Sequence, residues 1–584
     1  PRSVPVHDIA IQQREDEIIL GTHGRSLVVD DPAAPGNKVL KITATGATEH
    51  MHNHVETTLK AVTGFVPLSA TSTYTISFRA RWVSGCPRLN ARLYFNRLAK
   101  TVLLPMPENT GTPGAPNSRG IANLGPSLTM LQHSPAVPAA GTSATVRVRA
   151  GDPDGMGPVS LKWRVDGADE WTTAPMTGGP EYSAVLPFQT GGTLVEFYVE
   201  AADTAGATSR YPAASALVKW NDGTVPPGPG HGFRILMTTA DTTLMHLPTN
   251  VMSNDTLPAT VIYQESEVFY DARCRLKSSE RGRLADVRLG FAVDFDPMQP
   301  FRGKNLTVNL DRSSYGRGTT NNGYGQSDLF NWHFFNRAGG VPSMYNDLVY
   351  LISPRSAHTG SAQLTMAEFN DPYLDGQWTD GANTPTFKYE LIYYPTTTTG
   401  GPEGLKVPQP DDVLPVSVGQ IGTGSGITYP PATTPDKEPY RWNFLIGNAR
   451  NADDYSNLIN LNTVFRQTGA TYLANLPKVI DVDQWLRTFA ALSLAGIGDH
   501  YSSAGGGWHN LKLYQRADGR ILMLPWDHDF LSEPPDAALV RAPDLTKMLN
   551  ANPAWHRAFY GHLLDIIARS FNPTYIAPWA DHYE

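Results

Sequence analysis

Two aspartates follow a short, strongly apolar run near the C-terminal end of the sequence. The run is Ile-Leu-Met-Leu at 521–524, and Asp527 and Asp529 come directly after it in "WHNLKLYQRADGRILMLPWDHDF" (508–530). A carboxylate at the mouth of a buried strand is costly unless a partner offsets its desolvation, and a metal ion is the usual partner. This stretch therefore predicts a metal site at the end of a strand.

An upstream asparagine, Asn510, is expected to lie beside these aspartates although it is distant from them in sequence. The Asp518-Gly519 pair between two apolar runs predicts a hairpin turn, so the ends of its two strands lie side by side. Asp529 falls one pleat beyond Asp527 on the same face of the strand. Side chains that offer only oxygen suit Mg²⁺ or Mn²⁺, whose coordination phosphate oxygens complete.

A third carboxylate, Asp499, is predicted to join this cluster from the end of a helix. Residues 481–497 carry apolar side chains at helical spacing, and Asp481 or Asp483 can cap the start of the helix. The helix leads into Asp499 and the Gly-rich stretch "SSAGGG". The resulting order of helix, Asp, Asn, hairpin and Asp is that of protein-kinase active sites, without their H-R-D and D-F-G motifs.

A second group of candidate ligands lies in the N-terminal region, in "TEHMHNHVET". On a strand, His50, His52, His54 and Glu56 would share one face, where they could bind Zn²⁺ or another transition metal. Alternate residues of a strand are about 7 Å apart, which is wide for one tetrahedral ion. A solvated polar face is the alternative interpretation, and Ca²⁺ is a further candidate ion for the β-rich modules.

Composition indicates a globular protein and excludes several classes. Hydrophobic residues make up 41% and charged residues 17%, and the 52 glycines and 47 prolines indicate many turns and β-rich parts. A net charge of −8 without a basic run argues against a nucleic-acid partner. The sequence has no run of about 18 apolar residues that would span a membrane. Low lysine content and long Thr, Gly and Pro loops favour an extracellular or cell-surface location.

The pattern of strands and breaks predicts a multidomain chain with three modules. Residues 1–115 read as strands without a helical pattern, as in an all-β jelly-roll-like sandwich, and 116–133 form a linker. Short turn-bounded strands over 134–220 predict an immunoglobulin-like β-sandwich. A Pro/Gly linker at 221–232 precedes an α+β domain over 233–584. Because the sequence lacks an initial Met and stops just after a helical pattern, we expect a piece of a longer protein.

Five stretches of the last module resemble, in order, the motifs of the spore coat protein H (CotH) kinase family. The resemblance extends in pieces over about 260–535 and implies an atypical, secreted protein-kinase-like fold. One such stretch is weak evidence, whereas five in the right order are strong. The stretches are "CRLKSSERGR", "FRGKNLTVNLDRSS", "FFNRAGGVPS", "YRWNFLIGNARNADDYSNLINL" and the segment from "DVDQWLRTFAALSLAGIGDH" to "WDHDF".

This resemblance implies transfer of a phosphoryl group from ATP, bound with Mg²⁺ or Mn²⁺, to a hydroxyl of a protein substrate. Asp499 would orient and deprotonate the acceptor as a base. Asn510 and Asp527 would hold the metal, with Asp529 as a supporting ligand. Lys277 is the first choice for the cation that neutralises the phosphates.

Two arginines, Arg275 and Arg288, are the alternatives to Lys277 as the phosphate-binding cation. Arg288, in "DVRLGF", stands where the family usually has lysine before its second strand. An arginine there carries the charge but lacks the compact point-charge geometry of lysine.

Two functional hypotheses of different classes follow from these observations. The first, favoured because Asp499, Asn510, Asp527 and Asp529 are all present, is a secreted or surface enzyme that phosphorylates protein Ser or Thr hydroxyls. The second is a non-catalytic scaffold of a bacterial surface, coat or fibre assembly, with a surface-assembly partner or self-association into an oligomer or fibre. A carbohydrate-binding adhesion protein is a third option, which rests on analogy of fold alone.

Overall fold

A computed structural model of the chain describes short strands within the first 103 residues and most of the remainder. The eight N-terminal strands pair two by two, all antiparallel. The jelly-roll-like arrangement of this region stays a prediction, and the histidine cluster of residues 50–56 lies outside the described residues. The described strands are β1 (Ala10–Gln12), β2 (Glu17–Ile19), β3 (Ser26–Asp31), β4 (Ala34–Ile42), β5 (Lys60–Ala61), β6 (Gly64–Phe65), β7 (Arg88–Leu93) and β8 (Arg97–Leu103). Beyond them the described ranges are 123–227, 231–247, 256–277, 289–311, 326–389, 444–449, 454–498, 500–503, 510–528 and 536–583.

Two four-stranded antiparallel sheets follow, in the strand orders β13-β14-β10-β9 and β12-β11-β15-β16. Alternate residues of β10 and β15 are buried, among them Val146, Val148, Phe197 and Val199, and they share one core with Trp220. The period of two lets each strand bury one face. The immunoglobulin-like assignment of this sandwich stays a prediction. Its strands are β9 (Ser127–Ser134), β10 (Ala144–Gly151), β11 (Met156–Val165), β12 (Thr172–Pro175), β13 (Thr177–Gly178), β14 (Glu181–Leu186), β15 (Leu194–Asp203) and β16 (Thr208–Lys219).

A closed barrel of seven strands comes next, in the order β17-β18-β19-β20-β21-β23-β22. It closes where β17 pairs with β22 in parallel, and its other pairs are antiparallel. Helix α1 (Thr239–Met245) follows β17, and helix α2 (Gln326–Arg337) connects β21 to β22. The strands are β17 (His231–Leu236), β18 (Leu257–Tyr263), β19 (Glu267–Lys277), β20 (Gly290–Asp294), β21 (Thr307–Asp311), β22 (Tyr345–Ile352) and β23 (Gly360–Ala367), with a 3-10 turn at Ser356–His358.

The last unit packs helices around a second antiparallel sheet of order β25-β24-β26-β27. Its core joins residues of this sheet to residues of the surrounding helices and of α2. The strands are β24 (Thr386–Tyr389), β25 (Phe444–Ile446), β26 (Leu511–Gln515) and β27 (Ile521–Pro525). The helices are α3 (Asp371–Gln377), a 3-10 turn (Gly381–Asn383), α4 (Ser456–Phe465), α5 (Gly469–Val479), α6 (Val482–Ala495), α7 (Pro543–Ala551), α8 (Pro553–Arg569) and α9 (Pro573–Tyr583).

Helix α6 forms where the apolar spacing predicts it. Asp481 caps its start, where the side chain accepts a hydrogen bond from the Gln484 amide at 3.2 Å. Its Trp485 and Phe489 are fully buried in the core of the last unit. Gly496 ends the helix at φ +68°, a left-handed conformation that glycine adopts without strain.

Direct contacts join the sandwich to the barrel. Tyr270 of β19 belongs to the core of the sandwich, and its hydroxyl accepts a hydrogen bond from the His133 amide at 2.9 Å. The amide of Leu217 on β16 donates to the Thr260 hydroxyl of β18 at 2.9 Å. The sandwich is therefore packed against the barrel wall.

No helix within the described ranges is long and apolar enough to cross a bilayer.

Candidate active site

The predicted hairpin is formed by β26 and β27. Their register pairs Leu511 with Pro525, so Asn510 and the residues after Pro525 meet at one end of the hairpin. At the other end the amide of Gly519 donates to the carbonyl of Arg516 at 2.9 Å, and Gly519 has φ +81°. This is a tight turn closed by a left-handed glycine. The turn predicted at Asp518-Gly519 is therefore present, and it pairs β26 with β27 as the sequence predicts.

Asn510 and Asp527 share an uncommon backbone conformation at the open end of this hairpin. Their φ angles are +55° and +57°, in the left-handed region that non-glycine residues rarely occupy. Asn and Asp tolerate this region better than other side chains do, but the surrounding structure must still hold them there. Asn510 is almost fully buried. Two such residues on adjoining strand ends are typical of a functional site.

Lys277 lies on the outer face of the barrel, near enough to Asp527 for their charges to interact, and we call the space between Lys277 and the end of the hairpin the cleft. The register of β19, β20 and β21 aligns Lys277, Gly290 and Asp311 in one row. The Lys277 ammonium pairs with the Asp311 carboxylate at 3.2 Å. Gly290 has no side chain to separate them, and a Cβ there would lie 3.3 Å from Asp311 Oδ1. The glycine lets the two charges meet across the intervening strand.

Carboxylates outnumber cations around Lys277. Burial alone would lower the pKa of Lys277, but Asp311, Glu368 and Asp527 outweigh it and hold this pKa above its ordinary value. Glu368 also accepts a hydrogen bond from Asn309. Lys277 is therefore fully charged at neutral pH, within an acidic surrounding that can accept further positive charge.

Helix α2 supplies a further carboxyl group, Asp328, that the sequence did not single out. It accepts hydrogen bonds from Gln363 Nε2 at 2.7 Å, from Trp332 Nε1 at 3.2 Å and from the His528 amide at 3.1 Å. Burial raises the pKa of Asp328 to about 7, the hydrogen bonds oppose this rise, and the nearby Asp527 carboxylate adds to it.

His528, between Asp527 and Asp529, is buried against aromatic rings. Its ring centroid lies 4.3 Å from that of Trp332 and 4.6 Å from that of Phe335. Burial, reinforced by His500, lowers the pKa of His528 well below its ordinary value, so the ring is neutral. Neither ring nitrogen has a hydrogen-bond partner among the described residues. His528 anchors the loop by packing.

A cationic and aromatic wall lies beside Asp527. The Lys512 ammonium sits 3.5 Å from the ring centroid of Trp526 and 5.8 Å from that of Phe369, and Lys388 lies 5.6 Å from the ring of Trp526. Lys388 and Lys512 are directly paired across β24 and β26. Because like charges at paired positions repel, this wall is suited to an anionic group.

Asp499, Asp529 and Arg288 lie outside the described residues, so their predicted roles stay predictions. Arg275 is described two residues before Lys277 on β19, on the same outer face. Its guanidinium donates to the carbonyl of Leu276 at 3.3 Å. Of the three predicted phosphate-binding cations, Lys277 is the one whose contact with the cleft carboxylates is described.

A metal ion in the cleft would be bound by few protein ligands. Asp527 and Asn510 offer a carboxylate and an amide oxygen, which fit Mg²⁺ or Mn²⁺ completed by phosphate oxygens. In the described ranges, three carboxylates approach within 4.8 Å of one another at Asp152, Asp154 and Asp203 of the sandwich. Asp203 there already accepts a hydrogen bond from Asn123 at 2.6 Å.

Several cleft residues were missed because their pattern in the sequence is ordinary. Asn309 and Asp311 alternate with buried Val308 and Leu310 on β21, which is how any half-buried strand reads. Asp311 falls within a stretch that resembles the family, and this was the one signal that could have found it.

Residues 432–584 match the family model described as CotH kinase protein. The resemblance read from the sequence is thus confirmed for these residues, and the C-terminal part of the chain is CotH-like, whereas the first three of the five stretches precede the matched range. The matched segment contains the hairpin with Asn510 and Asp527, whereas Lys277 and the barrel precede it. No curated protein matches the chain.

Three solved structures show distant likenesses to parts of the chain. A Br derivative of BhCBM56 has 13% identity and a TM-score of 0.12 over 14% of this chain and 85% of that chain. The cycloalternan-degrading enzyme from Trueperella pyogenes has 13% identity and a TM-score of 0.13 over 31% of this chain. The aligned part spans 25% of that enzyme, and its complex with isomaltose matches at 12% identity. Likenesses this weak carry no argument about function.

Proposed function

Because its residues 432–584 are CotH-like, we propose that this chain transfers the γ-phosphoryl group of ATP to Ser or Thr hydroxyls of a protein substrate. One observation carries the proposal: Asp527, which shares its left-handed conformation with Asn510 at the same end of the hairpin, lies near a charged lysine surrounded by carboxylates. Strained backbone at two oxygen-bearing residues, opposite a cation, suits the binding of a metal–nucleotide complex.

Different residues of the cleft would bind the metal ion and the phosphate groups of the nucleotide. Asn510 and Asp527, with Asp529 in support, would hold Mg²⁺ or Mn²⁺, which would supply positive charge to neutralise the phosphates. Lys277 contacts the phosphates as a point charge, and Asp311 keeps its ammonium in place.

The wall of Lys512, Lys388 and Trp526 supports nucleotide binding from the other side of the cleft. An indole offers a face for stacking, and two ammonium groups attract the negative charge of the triphosphate. Trp526 of this wall directly precedes Asp527 in the sequence.

Asp499 supplies the base in the proposed reaction. The acceptor oxygen forms a bond to the γ-phosphorus, and the bond from this phosphorus to the β–γ bridging oxygen breaks. ADP leaves, and the hydroxyl proton passes to the Asp499 carboxylate.

The decisive experiment measures phosphate incorporation from labelled ATP with Mn²⁺ or Mg²⁺. Asp527→Ala is expected to reduce incorporation into protein by about 100-fold or more, because the metal contributes several kcal/mol to the transition state. The matched control is Asp581→Ala, since Asp581 is exposed on α9 and distant in sequence from the cleft residues. Equal incorporation by the wild type and Asp527→Ala would contradict the proposal and favour the non-catalytic scaffold.

We also place the protein outside the cell or at its surface, on the strength of its composition. The substrate would then be another secreted or surface protein. Fractionation of the native cells tests this placement, and recovery of the full-length protein in the cytosol would refute it.

A further inference from the structure

This inference rests on the proposed kinase function, which depends on Asp527. The segment that carries Asp527 is hydrogen-bonded to helix α2. We infer that Asp328 and Asn331 of α2 are positioning residues, which hold the backbone of His528, and thereby the left-handed conformation of Asp527, and tie this segment to the barrel. Neither residue was singled out in the sequence. Both would act through Asp527, without contact with the nucleotide.

Both backbone groups of His528 are hydrogen-bonded to side chains of α2. Asp328 Oδ1 accepts from the amide of His528, and Asn331 Nδ2 donates to the carbonyl of His528, each at 3.1 Å. Residues three apart on a helix share one face, so two side chains of α2 can bind the same residue from one side. Asn331 is 6% exposed, so this contact is shielded from water.

The position of His528 in the sequence explains why these two hydrogen bonds matter for Asp527. It directly follows Asp527, whose φ of +57° is held only if the neighbouring backbone is fixed. The His528 ring packs against Trp332, on the same helix as both positioning residues. Side chain and backbone of His528 are thus both bound to α2.

The same carboxyl group extends the connection to the barrel. The second oxygen of Asp328 accepts from Gln363 Nε2 at 2.7 Å. Gln363 is paired in register with Asp311, whose carboxylate binds Lys277. A chain of contacts therefore runs from the cation on one side of the cleft to Asp527 on the other.

The far end of α2 is fixed as well. Arg487 of α6 donates through Nε to the carbonyl of Ala338 at 2.7 Å and forms an ion pair with Asp565 of α8. Because α2 is held at both ends, the spacing between Asp328 and the hairpin is set by the fold.

The test measures Mn²⁺ affinity by electron paramagnetic resonance, with a non-hydrolysable ATP analogue present. Asp328→Ala is expected to weaken Mn²⁺ binding by about 10- to 100-fold, as loss of a residue that orients a ligand does. Asp328→Asn keeps an oxygen that can accept from the His528 amide, so it should restore most of the affinity. Arg337→Ala is the control, because Arg337 is exposed on the same helix.

The outcomes separate this inference from the proposed function. Wild-type affinity in Asp328→Ala, or equal losses in Asp328→Ala and Arg337→Ala, would overturn the positioning role. If Asp328→Ala does not fold, Asn331→Ala decides in the same way. A wild type that binds Mn²⁺ but transfers no phosphate refutes the kinase alone, whereas one that binds no Mn²⁺ refutes both.

Discussion

Backbone conformation distinguishes single residues of this cleft as much as the chemistry of their side chains does. Asn510 and Asp527 occupy left-handed backbone that most side chains avoid, and Gly290 removes a side chain from between two opposite charges. The placement of Asn510 and Asp527 at the same end of one hairpin could be predicted from sequence, because one turn sets the register of a hairpin. The pairing of Lys277 with Asp311 could not, because it depends on which strands neighbour each other in the barrel.

Gly290→Val tests the role of the missing side chain. Branched methyl groups would enter the space where Lys277 reaches Asp311, since a Cβ alone would lie 3.1 Å from the Leu310 carbonyl oxygen. We expect KM for ATP to rise about tenfold, equivalent to about 1.4 kcal/mol of lost binding, with a smaller change in kcat.

Gly561→Val is the matched control for this substitution. A Cβ at Gly561 of α8 would meet no atom within 4 Å, so the protein should keep its KM for ATP and its stability. An unchanged KM in Gly290→Val would show that the Lys277–Asp311 pair does not serve nucleotide binding.

Helices and strands with strong local sequence signals form where the sequence predicts them. Elements whose placement depends on residues far apart in the sequence could not be predicted in this way. Helix α6 has its N-cap at Asp481 and its left-handed end at Gly496, both readable from the sequence. The closure of the barrel depends on the pairing of His231 with Val349, and no local sequence pattern predicts this pairing. Asp328 was missed for the same reason, because its partners lie on β23 and after β27.

Removal of the Asp481 cap tests how far α6 depends on its own ends. Asp481→Ala should destabilise the C-terminal unit by about 1 kcal/mol, because the Gln484 amide loses its acceptor. Asp481→Asn keeps that acceptor and should retain most of the stability. Denaturant unfolding and hydrogen exchange of the first turn of α6 measure the effect, and equal losses in both variants would assign it to charge instead.

At the scale of the whole molecule, the sandwich and the barrel behave as joined bodies. His133 lies at this junction, where its Nε2 is 3.0 Å from the Ala136 carbonyl and its Nδ1 2.7 Å from the Tyr270 hydroxyl. Burial lowers the pKa of His133 to about 4, partly opposed by the Ala136 carbonyl. The sequence suggested a Pro/Gly linker between two modules, and it contained no signal for this contact, because the partners are far apart along the chain.

This histidine makes the junction sensitive to acid. Above pH 6.5 the folded and unfolded states both hold His133 neutral, so it adds no pH dependence. As the pH falls from 6.5 towards 4, the unfolded state binds a proton that the folded state excludes. The free energy of unfolding should fall by about 3 kcal/mol over this range and then level off.

His133→Gln should remove most of this acid-dependent loss, whereas His556→Gln should keep it, because His556 is exposed on α8. Unfolding of the sandwich–barrel part at a series of pH values is the measurement. The same acid loss in His133→Gln as in the wild type would contradict the assignment.

One strand belongs to both the junction and the cleft. β19 packs into the sandwich at Tyr270 and ends at Lys277, and a bulge at Asp271, whose φ is +51°, interrupts its pairing with β18. A displacement of the sandwich would therefore reach Lys277 through this one strand, by way of the bulge at Asp271.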